Sequence, residues 1–500
     1  MEKQSAQDRE RIQKLNEGYS PIHAFLKPEK VIQLMMLGST IHLVVAKFLQ
    51  NEAGAKLQNS LLVTSVAIFV GFWVSYRTRV ANNGTWGSPL QPIATFVPDF
   101  NVVYLMYLPT LFSLIFAREV TIVNLVMSFN CTDLPVAMKL PVQAIFVLLN
   151  DEYQQNRTKN LKAIFINWVF ASLIERIGQL RSFDRVDSNL FSICLTNVLF
   201  LLNRSSLHFQ ILHNVLKGFM VAISVNYLLS FITRKLNQYL RSVILLTSFI
   251  VVFPLTILCS FEVEGQNPAG WLFRYILSDS TRVKIIVGWL GCLLLLVPNI
   301  MIFQSKFSLD TSRKLWHFII LVLVVPPLHQ DPEFVKIALA GTIVLFLSVE
   351  YLRYLKLAPF GEFFDSKLRS FADFRDDRGP IIISYIYLII GIATPILING
   401  SLVGVISLGV GDSLASIVGY RWGRHRWPGT SKTLEGTLAF ITATSSCSLA
   451  LKNFNNSFQD LSNAKLIMTC ILSGILEGNS VLNDNILVPA FMLIVREGLK

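Results

Sequence analysis

Apolar residues recur along the whole chain in runs that are mostly about 17–24 residues long, separated by short polar connections. A helical run of that length crosses the hydrocarbon core of a bilayer. The runs lie at 31–49, 60–76, 100–117, 161–178, 190–202, 209–232, 240–260, 283–303, 315–328, 334–355, 381–398, 401–420, 434–451, 464–477 and 485–497. The pattern predicts an all-α, polytopic helical membrane protein with roughly 14–16 transmembrane helices.

The stretch 119–149 departs from this pattern. Asp133, Pro135 and Pro141 interrupt its apolar residues. Proline inside a helix removes a backbone hydrogen bond and bends or ends the helix. We therefore predict either one kinked span or two short re-entrant segments.

Composition agrees with a membrane protein. Of the 500 residues, 52% are hydrophobic and only 15% are charged, and the mean hydropathy is +0.52. The net charge of +12 lies mainly in short loops, as the positive-inside rule describes, and no basic face is interleaved with aromatic residues. We therefore expect no nucleic-acid partner. The six cysteines are scattered, without the spacing of a zinc site or a disulfide framework.

The chain divides by composition into three predicted regions. Residues 1–30 form a polar cytoplasmic tail of mixed charge, without the features of a cleavable secretory signal. Residues 31–303 form an N-terminal transmembrane region, and residues 304–500 form a C-terminal transmembrane catalytic region.

Basic residues concentrate in alternate connections. If the loop 421–433 is cytoplasmic, counting spans places four other connections on the same side: 233–239, 304–314, 356–380 and 478–484. The intervening connections are less consistently basic. Cytoplasmic loops are enriched in Lys and Arg, so the pattern predicts that the polar clusters collect at the cytosolic face.

The segment 409–437 combines a Gly-spaced apolar run with a strongly basic loop. Asp412 lies in the apolar run, where an ionisable group is costly and is interpreted first as functional. The loop carries Arg421, Arg424, His425, Arg426 and Lys432. Cations and loop N–H groups bind phosphate oxygens, so we predict a polyphosphate site. The GTSKT sequence at 429–433 lacks the spacing and the strand–loop–helix setting of a P-loop, which excludes that fold.

Further polar clusters lie at the ends of other apolar runs. They are Arg313, Lys314 and His317; Glu350 and Arg353; Asp376 and Asp377 within RDDRGP (375–380); and Glu477, Asn479, Asn483 and Asp484 within LEGNSVLNDN (476–485). Neighbouring carboxylates suit an ion that prefers oxygen ligands, such as Mg²⁺. A headgroup anchor, a local Glu–Arg pair and a solvated charged turn are the ordinary alternatives for the first three clusters.

Together these clusters resemble the dolichol kinase family, within the wider group of polyprenol and phytol kinases and CDP-diacylglycerol synthase-like enzymes. The matching segments are RKLWHF (313–318), EYLRYL (350–355), RDDRGP (375–380), GVGDSLASIVG (409–419), RWPGTSKTLEGT (426–437) and NDNILVP (483–489). The resemblance covers about residues 310–500. It implies transfer of the γ-phosphate of CTP to dolichol at the endoplasmic reticulum membrane, giving dolichyl phosphate and CDP. Dolichyl phosphate is the lipid carrier for protein N-glycosylation and related pathways.

The resemblance also places the nucleotide-binding loop at 421–436, facing the cytosol. We expect catalytic roles for Lys432, Asp412, His317 and Glu350, with His317 or Glu350 as the general base. The expected CTP-binding residues are Arg424, Arg426, Pro428, Gly429, Thr430, Ser431, Lys432, Thr433, Glu435 and Gly436. The expected ligands of a divalent ion, Mg²⁺ first, are Asp412 and Asp484, followed by Asp376 and Asp377.

Two other functions fit part of the pattern. The first is another CTP-dependent lipid enzyme, either a polyprenol or phytol kinase or a phosphatidate cytidylyltransferase, which releases pyrophosphate. The second is a transporter, which is expected to show inverted repeats and broken helices near the bilayer centre. No repeat is visible in the sequence.

Overall fold

The computed structural model describes residues 28–81, 100–132, 134–149, 157–179, 182, 185–203, 205–303, 309–358, 361–369, 379–480 and 482–500. Helices form the regular structure of these residues, and the only β-type pairings among them are the isolated bridges Val263–Gln266 and Arg426–Thr433. The predicted all-α class is confirmed.

The helices of the N-terminal part follow the apolar runs. They are α1 (Pro28–Phe48), α2 (Glu52–Ala81), α3 (Phe100–Phe116), α4 (Thr121–Met127), α5 (Val136–Leu149), α6 (Arg157–Gly178), α7 (Arg185–Thr196), α8 (Leu207–Ile232), α9 (Gln238–Ser260), α10 (Pro268–Leu277) and α11 (Ser280–Phe303). The interrupted stretch 119–149 forms two short helices, α4 and α5, rather than one kinked span.

The helices of the C-terminal part follow the remaining runs. They are α12 (Leu309–Gln330), α13 (Pro332–Tyr354), α14 (Gly361–Arg369), α15 (Ser384–Asn399), α16 (Val403–Trp422), α17 (Leu434–Asn455), α18 (Asn463–Asn479) and α19 (Asp484–Leu499). The predicted connections 261–282 and 356–380 also contain the short helices α10 and α14.

Seven of the described helices are long and apolar enough to cross a membrane by length and composition. A further four described apolar helices are shorter. The polytopic architecture is thereby confirmed, whereas the span number of 14–16 stays a prediction.

Contacts within the chain define two compact units. The first contains the described residues of Met1–Leu202, Gly419–Ile441 and Asp460–Lys500, and the second contains those of Asn203–Val418 and Thr442–Gln459. The boundaries fall within α16 and α17. The predicted domain division after residue 303 stays a prediction.

The last helix, α19, lies in the hydrophobic core of the first unit. Phe491 and Ile494 of α19 are buried in one cluster with Val44 of α1, Tyr104 of α3 and Leu125 of α4. Asn483 caps the start of α19 by accepting a hydrogen bond from the backbone N of Asn485 at 3.1 Å. The N-terminal helices therefore surround the segment that carries Asp484.

In the second unit, Gly409 allows α12 and α16 to lie close together. A Cβ atom added at Gly409 would lie 3.3 Å from the backbone O of His317. Bulkier residues at position 409 would therefore move the helix that carries Asp412 away from His317. The stretch Ile406–Asp412 of α16 is π-helical, a form that occurs often at functional sites.

Candidate active site

The basic loop between α16 and α17 folds into a tight reversal. The backbone N of Leu434 donates to the O of His425 at 2.8 Å, and the N of Trp427 donates to the O of Lys432 at 3.0 Å. At the tip, Gly429 has a φ of 71°, a left-handed conformation that favours glycine. The Pro–Gly pair therefore sets the turn that returns Lys432 toward the start of the loop.

Lys432 is held at the C-terminal end of α18. Its Nζ donates to the backbone O of Glu477 at 2.9 Å and to Glu477 Oε1 at 2.5 Å, and it lies 3.3 Å from Asp484 Oδ2. The ammonium group thus pairs with two carboxylates at a helix end where the dipole also favours a cation. The structure brings together Lys432 and Asp484, two of the residues predicted for the site.

The rest of the loop is fixed to the same helix end. Thr430 Oγ1 donates to the backbone O of Gly478 at 3.2 Å. Trp427 Nε1 donates to Thr437 Oγ1 at 2.8 Å, and a Cβ on Gly478 would lie 2.5 Å from that Oγ1. Only glycine at position 478 therefore lets the loop dock in this way.

Thr433 fills a space left by two glycines one turn apart at the end of α16. A Cβ on Gly419 would lie 2.9 Å from Thr433 Oγ1, and a Cβ on Gly423 would lie 2.6 Å from Thr433 Cγ2. The Thr433 hydroxyl also accepts from the backbone N of Gly436 at 3.1 Å. Thr433 and Gly436, both predicted for the CTP site, thus form part of the loop's support.

Glu435 pairs with the imidazole of His425. His425 Nδ1 lies 2.7 Å from Glu435 Oε1, and the backbone N of His425 donates to the same carboxylate. This pair closes the base of the loop. A contact between Glu435 and CTP stays a prediction.

The arginines of the same loop are exposed. They are Arg421, Arg424 and Arg426, and none of them forms a salt bridge with a residue that the structure describes. Pro428, Gly429 and Ser431 are exposed at the tip of the same loop. The loop therefore offers solvent-accessible positive charge next to a partly exposed ammonium group.

His317 and Asp412 form a pair in the second unit. His317 Nδ1 lies 3.4 Å from Asp412 Oδ2 and 3.4 Å from Ser413 Oγ, and the His317 side chain is buried. A carboxylate beside one imidazole nitrogen orients the ring and leaves the other nitrogen for proton transfer. The pair has the arrangement of a base and its orienting acid.

Glu350 is saturated with hydrogen bonds. Arg353 donates to both of its oxygens, at 2.7 and 2.5 Å. The backbone N of Ile382 donates to Oε1 at 2.7 Å, and the Tyr385 hydroxyl donates to Oε2. This geometry argues against the general-base role considered for Glu350, because all four acceptor positions of the carboxylate are occupied.

Asp365 extends the Glu350 network to α14. Arg353 also donates to Asp365, and Lys356 Nζ lies 2.8 Å from Asp365 Oδ2. Burial raises the pKa of Asp365, but the hydrogen bond from Lys356 and the charges of Arg369 and Arg353 outweigh it and lower that pKa overall. The Glu350–Arg353 pair is therefore part of a structural ion network.

Some of the residues predicted for the site lie outside the part of the chain that the structure describes. Asp376 and Asp377 are not among the described residues, and the side chains of Arg313 and Lys314 are not described either. Glu477, in contrast, was absent from the predicted ligand set, although it is the main partner of Lys432. The available signal was an acid at the end of an apolar run.

Comparison with known proteins gives a consistent result. Residues 2–203 match the model of the dolichol kinase N-terminal domain. The chain is 45% identical over 408 residues to a dolichol kinase of Saccharomyces cerevisiae, covering 80% of this chain and 77% of the relative.

More distant relatives match over shorter regions. The dolichol kinase sec59 of Schizosaccharomyces pombe is 35% identical over 47% of this chain and 51% of its own length. The dolichol kinase of Homo sapiens is 34% identical over 46% of this chain and 47% of its own length. No solved structure matches.

Proposed function

The chain belongs to the dolichol kinase family and is a multi-pass membrane kinase that acts on dolichol; from that premise we propose that CTP is its phosphate donor. The products are then dolichyl phosphate and CDP. We further propose that it works in the endoplasmic reticulum membrane with the loop 421–436 facing the cytosol. In this setting dolichyl phosphate serves protein N-glycosylation and related pathways, and no nucleic-acid partner is involved.

The proposed binding site for the phosphate donor rests on the position of Lys432, which lies between Glu477 and Asp484 at the end of α18. Phosphoryl transfer requires mainly positioning and charge neutralisation. Lys432 supplies a fixed cation that remains partly accessible, with 29% of its side chain exposed. The exposed Arg424 and Arg426 add positive charge for the other phosphate groups. We assign Lys432 to the γ-phosphate.

Glu477 and Asp484 fit a divalent ion. Both present carboxylate oxygens, the ligand type that Mg²⁺ prefers, and they lie close enough to share one ammonium group. Such an ion would be held by these two carboxylates and would supply positive charge that neutralises the phosphate groups. Asp412 is the further ligand proposed from the sequence; its contact with His317 also suits an orienting role.

We propose His317 as the general base. The proton of the dolichol hydroxyl moves to the imidazole Nε2, because Nδ1 faces Asp412. The alcohol oxygen then forms a bond to the γ-phosphorus as the bond to the β-phosphate oxygen breaks, and CDP leaves. The hydrogen bonds that saturate Glu350 favour His317 over Glu350 for this step.

The test is incubation of purified protein with dolichol and CTP labelled at the γ-phosphate, followed by identification of both products. We expect labelled dolichyl phosphate and unlabelled CDP in equal amounts, with ATP and GTP far less effective. Pyrophosphate release would indicate a cytidylyltransferase instead. Equal rates with ATP would refute the donor assignment.

A further inference from the structure

A buried glutamine of the first helix contacts the helix end that holds Lys432. Gln33 of α1 is 2% exposed, and its Nε2 donates to the backbone O of Asn479, the last residue of α18. Its Oε1 accepts no hydrogen bond from any residue in the described part of the chain. Burying an amide is costly, so donation to Asn479 is the contact that accounts for a polar residue here.

This contact completes the capping of α18. The last four carbonyl groups of a helix have no partner within it. In α18 the donors to these carbonyls are Ser480 N to Leu476 O at 2.9 Å, Lys432 Nζ to Glu477 O at 2.9 Å, Thr430 Oγ1 to Gly478 O at 3.2 Å, and Gln33 Nε2 to Asn479 O. Two of the four donors thus come from the basic loop, and one comes from the N-terminal region.

The same helix α1 is attached at a second point. Lys47 Nζ donates to the backbone O of Glu497 in the last turn of α19, at 2.7 Å. Close by, a Cβ on Gly498 would lie 2.6 Å from Leu43 Cδ2, so α1 and α19 are in tight contact. Helix α1 is therefore attached near both of its ends, to α18 through Gln33 and to α19 through Lys47.

We propose that Gln33 is a positioning residue for the kinase reaction, acting through Asn479 O on the helix end that binds Lys432. The proposal rests on the proposed role of Lys432 at the γ-phosphate. It assigns part of the N-terminal region a direct bearing on catalysis. Displacement of a catalytic group by about 1 Å can reduce a rate about 100-fold, so a modest shift of this helix end is sufficient for a measurable effect.

The Gln33→Met variant removes the donor and keeps the length of the side chain. We expect its kcat to fall about 10-fold, with the KM for dolichol unchanged. The matched control is Lys47→Met, which removes the attachment at the other end of α1. If Gln33 acts by positioning, the control keeps a kcat within about 2-fold of wild type per folded molecule.

A second variant tests the donated hydrogen bond itself. In Gln33→Glu, the protonated carboxyl donates to Asn479 O, whereas the ionised form has no proton to donate. Activity relative to wild type at the same pH should therefore fall as pH rises for Gln33→Glu, and it should stay constant for Gln33→Met.

Three outcomes decide the proposal. A wild-type kcat in Gln33→Met would overturn it, as would equal losses of kcat in Gln33→Met and Lys47→Met, because both point to a purely structural contact. A Gln33→Glu variant whose kcat loss equals that of Gln33→Met even at the acidic end of the range would also overturn it, because a protonated carboxyl restores the donor. An inactive wild-type protein with CTP and dolichol would instead contradict the proposed function, so the two failures are distinguishable.

Discussion

Replacing Lys432 with methionine should separate its catalytic role from its role as a helix cap. The substitution removes the ammonium group that contacts Glu477 and Asp484 and keeps an unbranched side chain. The carboxylate of Glu477 has only 6% of its side chain exposed, so it loses its partner in a nearly dry environment. Both folding and activity should therefore respond.

The two losses are similar in free energy but affect different quantities, the stability and the activation barrier. Removing one partner of a fully buried ion pair costs about 3–5 kcal/mol. We expect about 2–3 kcal/mol here, because Lys432 and Asp484 are about one third exposed and water screens them. Loss of a charge-assisted contact to the transferring phosphate should lower kcat by about 100-fold, or about 2.7 kcal/mol in the barrier.

The Lys432→Met, Glu477→Gln double variant distinguishes the two roles. Glutamine removes the unpaired charge, so stability should return toward wild type, while activity should stay low. Thermal unfolding in detergent and initial rates at saturating CTP measure the two quantities. Recovery of activity in the double variant would refute the phosphate role of Lys432 and leave it a structural cap. A single variant with more than half of wild-type activity would do the same.

Three further predictions concern neighbouring features. Gly478→Ala should lower kcat by at least about 10-fold, because the added Cβ would displace Thr437 and Trp427. The control is Gly38→Ala in α1, which should match wild type in the same assay because nothing lies within 4 Å of the added atom. Asp412→Asn and His317→Gln should each lower kcat by about 100-fold, and the double variant should be no worse, because a base and its orienting acid act as one unit; losses that multiply would indicate that Asp412 acts independently of His317. The pKa of Asp365 is lowered in the folded state, so its carboxylate should stabilise the protein at pH values above the unfolded pKa of about 4, and this stability should be lost as pH falls through the folded pKa. The unfolding temperatures of wild type and Asp365→Asn should therefore converge below about pH 4. A difference in unfolding temperature that stays constant with pH would contradict this.

The sequence predicts the helices well where hydrophobic length is the deciding signal. It does not predict α10 and α14, because helices of 10 and 9 residues within polar connections lack that signal. Trp271 shows why α10 forms: it is buried, and its ring stacks on Tyr275 at 4.8 Å. Such helices depend on tertiary packing, which local periodicity does not report.

The sequence indicated individual charged residues of the candidate site, but it did not indicate which of them contact each other. Lys432 and Asp412 are conspicuous because charges are rare beside apolar runs. The contact between Lys432 and Glu477 joins positions 45 residues apart, and no local pattern encodes it. For Glu350, the sequence shows an acid in an apolar run but not its hydrogen bonds with Ile382 and Tyr385.

Both the Glu350–Arg353 cluster and the Lys432–Glu477–Asp484 cluster are charged, but they differ in hydrogen-bond saturation and in solvent exposure. The side chains of Arg353 and Glu350 are 1% and 5% exposed, and each hydrogen-bonding position of Glu350 is occupied by a protein donor. Such a network stabilises the chain around it and leaves no acceptor for a substrate proton. Lys432 and Asp484 also pair with protein groups, yet they are 29% and 34% exposed, and exposed arginines lie in the same loop. A triphosphate can therefore compete for the ammonium group of Lys432, whereas it has no access to the guanidinium group of Arg353. The difference supports the proposed role of the loop in phosphate binding and a structural role for the Glu350 network.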